Sequence, residues 1–300
     1  MNKIWYVVVL IVLLCSCSSA VVETVQYDAA KMDAGYFYEY HGSVHPHQFV
    51  ESGLKIYFYV ISDTRIESLY AWTDTSVKGA LIETSIMMDA ARCLKQAISE
   101  RAYLATQYKI DPFIKFDYKR EVVYDFSAQT VTKDEYWVNG NKPETILHPI
   151  HDKGVHSFQT DKLPVFEFFG DMPIDIFIAG RFLAEDTTSR LPINDKGYIT
   201  DASFMPHKTE ETFSYNSIDY SCKRFRIKNK SLLALFFSKE TYFLRESDSG
   251  LNYPVCFKGA DAEYRLARRT VMKLEEWEAF KQTVKDEFSP AGYIDIVYEE

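Results

Sequence analysis

Apolar and polar positions alternate with a period of two over most of this chain. Leu54, Ile56, Phe58 and Val60 alternate with Lys55, Tyr57, Tyr59 and Ile61, the pattern of a strand. A second strand is expected over Ile66 to Trp72. Val122, Tyr124 and Phe126 alternate with Glu121, Val123 and Asp125, and Tyr136-Trp137-Val138 runs into Asn139-Gly140, a strong short hairpin signal. Further strands are expected at Val165 to Phe169, Ile174 to Phe182, Gly197 to Thr200, Thr212 to Tyr215 and Asp219 to Ile227. Others follow at Leu232 to Phe237, Thr241 to Arg245, Tyr253 to Phe257 and Glu263 to Val271, with turns at Asn194-Asp195, Lys228-Asn229-Lys230 and Ser247 to Gly250.

Two stretches break this rhythm. Between Lys78 and Leu104, Ile82, Ile86, Ala90, Cys93 and Ala97 recur every three or four residues, opposite a charged side carrying Asp89, Arg92, Lys95, Glu100 and Arg101. That spacing predicts one long amphipathic helix, its apolar stripe wide enough to lie on a sheet. From Lys273, the residues Leu274, Trp277, Phe280, Val284 and Phe288 predict a second helix, stopped by Ser289-Pro290-Ala291-Gly292 and followed by a terminal strand over Tyr293 to Tyr298. The fold class expected is mainly β, a β-rich α+β arrangement: a large curved antiparallel sheet or open barrel with one long amphipathic helix and a C-terminal helix.

The first residues follow a different logic. Lys3 precedes an apolar run from Ile4 to Leu14, too short to span a bilayer as a helix, and the run ends in Leu14-Cys15-Ser16-Cys17. This ending resembles the lipobox of bacterial lipoproteins, in which the cysteine is acylated and becomes the first mature residue. Cys17 occupies that position. The resemblance implies a signal peptide over 1–16, a lipidated tether over 17–35 and a single β-rich periplasmic domain over 36–300. Ser18, rather than Asp, after the cysteine favours the outer membrane over the inner one, and no acidic export run follows, which favours the periplasmic face.

Composition narrows the partners. Removing the signal leaves about 280 residues, enough for one large or two small domains. Tyr and Phe each occur 21 times, a load that suits strands better than helical bundles. A net charge of −9 argues against nucleic acid and against electrostatic adhesion to anionic lipid, leaving the lipid anchor to hold the membrane.

Candidate chemistry is sparse. His41, His45 and His47 form one group and His148, His151 and His156 another, with Asp152 beside it and His207 apart. Imidazoles and a carboxylate can hold zinc, but both groups lie in loop-like stretches and match no metal motif, so solvated histidines are the simpler reading. Cys222 and Cys256 sit in strand-like segments and could pair in an oxidising compartment; with Cys93 they could equally be buried thiols. Glu167, Asp171 and Asp175 beside Phe166 to Phe169 could line a cleft, though turn carboxylates beside sheet aromatics are commonplace. Nucleophile elbows, phosphate loops and dinucleotide fingerprints are lacking, and the sequence calls for no cofactor.

Several short patterns, Tyr124-Asp125-Phe126 with Val131, Asp171 through Ile176-Phe177-Ile178 to Arg181, and Tyr253-Pro254-Val255 with Tyr264-Arg265-Leu266, resemble a family of periplasmic domains of unknown function. The resemblance implies an open, curved antiparallel sheet similar to the half barrels of lipoprotein carriers, and it carries over no catalytic residue. The segment from Lys78 to Leu104 departs from it. The function expected is a non-enzymatic, membrane-anchored envelope lipoprotein that takes an apolar ligand or a partner segment on the concave face of its sheet. A cell-envelope hydrolase, metal-assisted through the histidines, and a structural scaffold subunit are the alternatives.

Overall fold

The computed structural model describes residues 34–44, 48–62, 64–74, 78–89, 94–104, 115–125, 127–128, 130–139, 150–157, 174, 177–178, 180, 189–193, 200–229, 241–246, 253–258 and 262–288. Its first strands are β1 (Tyr36–Ser43), β2 (Leu54–Ser62), β3 (Arg65–Asp74), β4 (Lys78–Asp89), β5 (Leu94–Leu104), β6 (Lys115–Asp125), β7 (Thr130–Asn139) and β8 (Ile150–Ser157). They are followed by β9 (Ser189–Ile193), β10 (Thr200–Tyr215), β11 (Ile218–Asn229), β12 (Thr241–Glu246), β13 (Tyr253–Lys258) and β14 (Glu263–Val271), then by helix α1 (Leu274–Phe288). All fourteen strands belong to one open antiparallel sheet, in the order β8-β7-β6-β5-β4-β3-β2-β1-β14-β13-β12-β11-β10-β9.

Every sequential neighbour pairs with the next except β8 and β9, and β1 pairs with β14. The sheet is thus two meanders, β1–β8 and β9–β14, sewn together by the first and last strands. Gly35 fixes the entry to this seam. Its φ of +84° is a left-handed conformation that glycine adopts without a Cβ penalty. In that pose its N–H donates to Val60 O at 2.7 Å while its carbonyl accepts from Met272 N–H at 2.8 Å. The sheet's two edges carry groups that discourage further pairing: β8 is largely exposed and holds His151, Asp152, Lys153 and His156, and β9 contains Pro192.

The central strands are covered on both sides. In the β1–β2 register, Tyr38 faces Phe58 and Tyr40 faces Ile56, while Phe37 faces Tyr59 and Glu39 faces Tyr57. The first set belongs to a large core with Ile174, Phe177 and Ile178 and with residues of β11 to β14. We call this side the aromatic face. The second set packs with Leu69, Leu81, Trp277 and Val284 beneath α1, on the helix face. Burial on both sides explains why β2 reads as an almost continuous apolar run rather than a clean alternation.

Helix α1 is held through a buried carboxylate. Glu67, in β3, accepts Trp277 Nε1–H at 2.8 Å and Lys281 Nζ at 2.8 Å, and Arg65 reaches its other oxygen at 2.6 Å. Burial alone would push the Glu67 carboxyl up, but hydrogen bonds from Lys281 and Trp277 and the nearby positive charges outweigh it and hold the group below 4.5. Lys281 is shifted the other way: burial opposes its charge, yet its bonds to Glu67 and Glu278 keep its pKa above 10.5. Lys285 adds a 2.7 Å ion pair to Glu83 in β4.

Two expectations are corrected here. The single helix expected over Lys78 to Leu104 is instead the hairpin of β4 and β5, registered from Ala80 against Leu104 to Asp89 against Leu94. A spacing of four, as between Ile82 and Ile86, satisfies a period of two as well as a period near 3.6. Here the open edge of β3 decides for a strand, since β4 pairs with it over ten registered positions from Arg65–Met87 to Asp74–Lys78. Conversely, the strand expected over Ile174 to Phe182 is helical at Ile174, Phe177, Ile178 and Gly180. The buried apolar side chains there follow i, i+3, i+4 spacing, which competed with the alternation of Ile174, Ile176 and Ile178. The C-terminal helix is present as expected. The strands expected at Val165 to Phe169, Leu232 to Phe237 and Tyr293 to Tyr298, and the signal and tether before residue 34, lie outside the described residues.

Two outcomes test these features. Lys281→Met leaves Glu67 buried without its main cation and is expected to lower stability by about 3–5 kcal/mol in chemical denaturation. In the intact protein the Glu67 contribution is complete above pH 4.5 and fades as pH falls through its lowered folded pKa. Glu67→Gln should therefore flatten the acid limb of the stability curve, and an unchanged limb would count against this node. Separately, the β10–β11 hairpin turns through Asn216 and Ser217 at φ 51° and 63°. Ser217→Gly should raise stability by about 0.5–1 kcal/mol by relieving a left-handed residue that carries a side chain, measured as a rise in melting temperature.

Candidate functional site

The aromatic face centres on Phe177. Its ring stacks on Phe58 at 4.1 Å and 6°, and meets Tyr38 edge-on at 5.1 Å and Tyr40 at 6.3 Å. Alternation along β1 aims Tyr38 and Tyr40 at this point, and Phe58 follows from the β1–β2 register. Tyr40 is steadied on its far side by Phe257, at 5.1 Å, and donates its hydroxyl to Pro254 O at 2.5 Å. Gly180 ends the described helical residues against Pro254. A Cβ there would stand 3.2 Å from the proline Cδ, so a side chain would push the segment off the sheet. The outcome is an apolar seat, lined by tyrosines and phenylalanines, that receives an inserted apolar segment of the same chain.

Around this seat the same face becomes polar. One register row runs from Phe58 through Ser68 to Thr84, and further along the sheet Arg120 faces Glu135. Ser68, Thr84 and Glu135 are all buried, and Glu135 pairs with Lys133 at 3.0 Å. At the other side of the seat, Arg269 lies over Tyr36 at 4.2 Å and Tyr253 at 4.5 Å and donates to Tyr38 Oη. Burial, with the hydroxyl's bond to Glu246, pushes the Tyr253 phenol well above its usual range, so it stays a neutral donor. Tyr70 on the same face is pushed by burial to about 12. Such a face offers apolar stacking and neutral hydroxyls.

The histidines do not come together. His41 lies in β1, with Nε2 3.1 Å from Glu39 and Nδ1 3.2 Å from Glu51, which also accepts the Tyr215 hydroxyl at 2.7 Å. Those bonds hold the Glu51 carboxyl below its ordinary value, Tyr215 contributing most. His151 lies in β8, stacked on Tyr136 at 4.1 Å with Nε2 2.8 Å from Asp134, whose second oxygen takes Lys153. The Lys153 bond lowers the Asp134 pKa most. His156 is also in β8, and β8 and β1 stand seven strands apart. The loop setting expected for His41, His151 and His156 is thereby corrected to strands: His41 is registered between Lys55 and Arg265, His151 opposite Tyr136 and His156 opposite Val131. Among the described residues, no group of three or more His, Cys, Asp and Glu is placed to hold a metal. His45, His47, His148, Glu167, Asp171, Asp175 and the acylation position Cys17 lie outside the described residues.

Cys222 and Cys256 are both buried free thiols, the second of the two readings that the sequence left open. They belong to β11 and β13, with β12 between them. Two strand spacings put the backbones about 10 Å apart, beyond the roughly 7 Å that a disulfide spans. Burial drives the Cys256 thiol well above its usual range, so it behaves as a small apolar side chain.

Sequence reasoning passed over Tyr38 and Tyr40, and met Phe177 only within the stretch from Asp171 to Arg181, without a site role. In β1 aromatic residues occupy both parities, Tyr36, Phe37, Tyr38 and Tyr40, which hides the alternation. Comparison with protein families, curated proteins and solved structures finds no match to this chain. The class of protein therefore rests on architecture: a β-rich protein built on one open antiparallel sheet.

The thiol assignment is checked by alkylation of the native protein with iodoacetamide and peptide mapping. Neither Cys222 nor Cys256 should be modified until denaturant is added, and a peptide linking the two residues would refute the free-thiol state.

Proposed function

We propose that this is a membrane-anchored envelope lipoprotein of non-enzymatic type, held at the periplasmic face of the outer membrane, that binds an apolar ligand or partner segment on the aromatic face of its open sheet. The observation that carries this reading is the seat around Phe177. There, fixed strands of the sheet accept a short apolar insert through stacked and edge-on rings, and an external chain of similar size and chemistry would make the same contacts. An exchange of this kind conserves the buried apolar area, so a modest affinity difference is enough to drive it. The lipobox-like Leu14 to Cys17 supports the anchor, and two or more acyl chains at one cysteine give lasting attachment. Among the described residues, no helix is long and apolar enough to cross a membrane.

A metal-assisted hydrolase draws no support from the placement of His41, His151 and His156, which lie on β1 and β8, seven strands apart. A scaffold role would use the same seat for a protein partner.

The test is native mass spectrometry of the full chain extracted from its own membranes in mild detergent, together with lipid extraction. A non-covalent apolar adduct is expected, and Phe177→Trp should report its loss and return by fluorescence. Absence of any adduct, with amides at 177–178 as protected from hydrogen exchange as the central strands, would rule the reading out.

A further inference from the structure

Exposed apolar side chains gather at one end of the sheet. Met87 in β4 (48 % exposed), Val123 in β6 (50 %) and Val155 in β8 (64 %) lie on the helix face, and Val271 (67 %) and Leu274 (44 %) flank the start of α1. The first three fall in a single cross-strand row, Met87–Ala97–Val123–Thr132–Val155, by the registers of four successive strand pairs. No formally charged residue interrupts this row from β4 to β8, and Arg65 in β3, opposite Met87, ends it. The neighbouring row, Ser85–Ser99–Glu121–Asp134–Lys153, returns to polar and charged residues. Strand spacing makes the apolar row about 19 Å long. Scattered apolar residues are ordinary on a protein surface, whereas an uncharged row on one rim is not scattered.

The position of the row gives it meaning. β1 begins at this same end, where Gly35 bonds Val60 and Met272, and the register leads from Val60 to Ile66, Ile86, Ile98 and Val122, one step in from the apolar row. The chain that precedes Gly35, with its apolar run and Cys17, therefore leaves the sheet at the rim where Met87, Val123 and Val155 stand. Among the described residues, the other exposed large apolar side chains are Val44 and Val50, around the β1–β2 connection, and Ile218, in the β10–β11 hairpin whose Tyr215 hydroxyl reaches Glu51.

We infer that this rim is a membrane-contact edge: Met87, Val123 and Val155 rest in the interfacial layer of the bilayer to which the chain is tethered. The inference rests on the lipoprotein reading above. Lys273, Glu275 and Glu276 border the rim with mixed sign, and Asp125 closes the nearby turn by accepting from Ser127 and Ala128. Contact is thus apolar rather than a response to anionic lipid, and it depends on the anchor to keep the rim near the surface. With this edge down, the sheet and its aromatic face stand away from the bilayer at a set orientation.

The test uses the full lipidated chain in phosphatidylcholine vesicles, with an environment-sensitive fluorophore on Val123→Cys, Val155→Cys or Ile218→Cys in a Cys93→Ser background. Blue-shifted emission at 123 and 155, quenched at least several-fold more by brominated lipid than emission at 218, is expected. Vesicle-bound protein with equal quenching at 123 and 218 overturns the membrane edge while leaving the anchor intact. A blue shift at 123 without lipid quenching also overturns it, because a second copy or a protein partner then covers the row. Failure to float with vesicles, together with no palmitate labelling at Cys17, removes the anchor and the inference with it.

Discussion

The pairing of β1 with β14 is the constraint from which the remaining architecture follows. Each meander has a local connection between successive strands, but the seam between them joins residues separated by more than two hundred positions, such as Tyr36 and Val271. Closing so long a loop carries an entropic penalty that only the completed ladder and the burial on both faces offset. The seam places the chain's entry at Gly35 beside its exit at Met272, and α1 then starts directly over the strands it must cover. Loss of this pairing would leave two partial sheets, each with an exposed apolar edge.

Two covers make the central strands a core rather than a surface, and they work by different physics. Helix α1 docks through apolar contact around Trp277 and through the Glu67–Lys281 pair. A buried ion pair adds little net stability over a well-packed apolar substitute, but it penalises any docking in which the two charges miss each other. It therefore fixes the position of the helix on the sheet. On the opposite side, Phe177 is held by ring contacts, which tolerate replacement by other apolar groups more readily than a charge pair does. The ion-paired cover and the ring-packed one lie on opposite faces of β1 and β2, and this asymmetry underlies the proposed binding role.

Local pattern made much of the fold legible. The alternation in β6 and β14 identified strands, and the spacing of Leu274, Trp277, Phe280 and Val284 identified α1, because in these segments a single periodicity fits. It misled where two periods coincide. Ile82 and Ile86 suit a helix or a strand, and Ile174 and Ile178 suit either as well; the neighbour that each segment meets broke the tie in opposite directions. Of the site, His41 and His151 stood out in the sequence for their chemistry, yet each ended beside a carboxylate on its own part of the sheet, far from the other. Tyr38, Tyr40 and Phe177 looked like ordinary aromatics and form the seat.

By itself, the sequence determined that this chain builds a β-rich antiparallel body with a C-terminal helix, because those properties are written in periods of two and 3.6 that each segment carries locally. Tertiary structure alone decided that β1 meets β14, that Lys78 to Leu104 pairs as a hairpin, and that Cys222 and Cys256 are kept apart by β12. It also decided that Met87, Val123 and Val155 align on one rim. These are matters of register between segments distant along the chain, and register is set by which edges and faces remain to be satisfied once the sheet assembles.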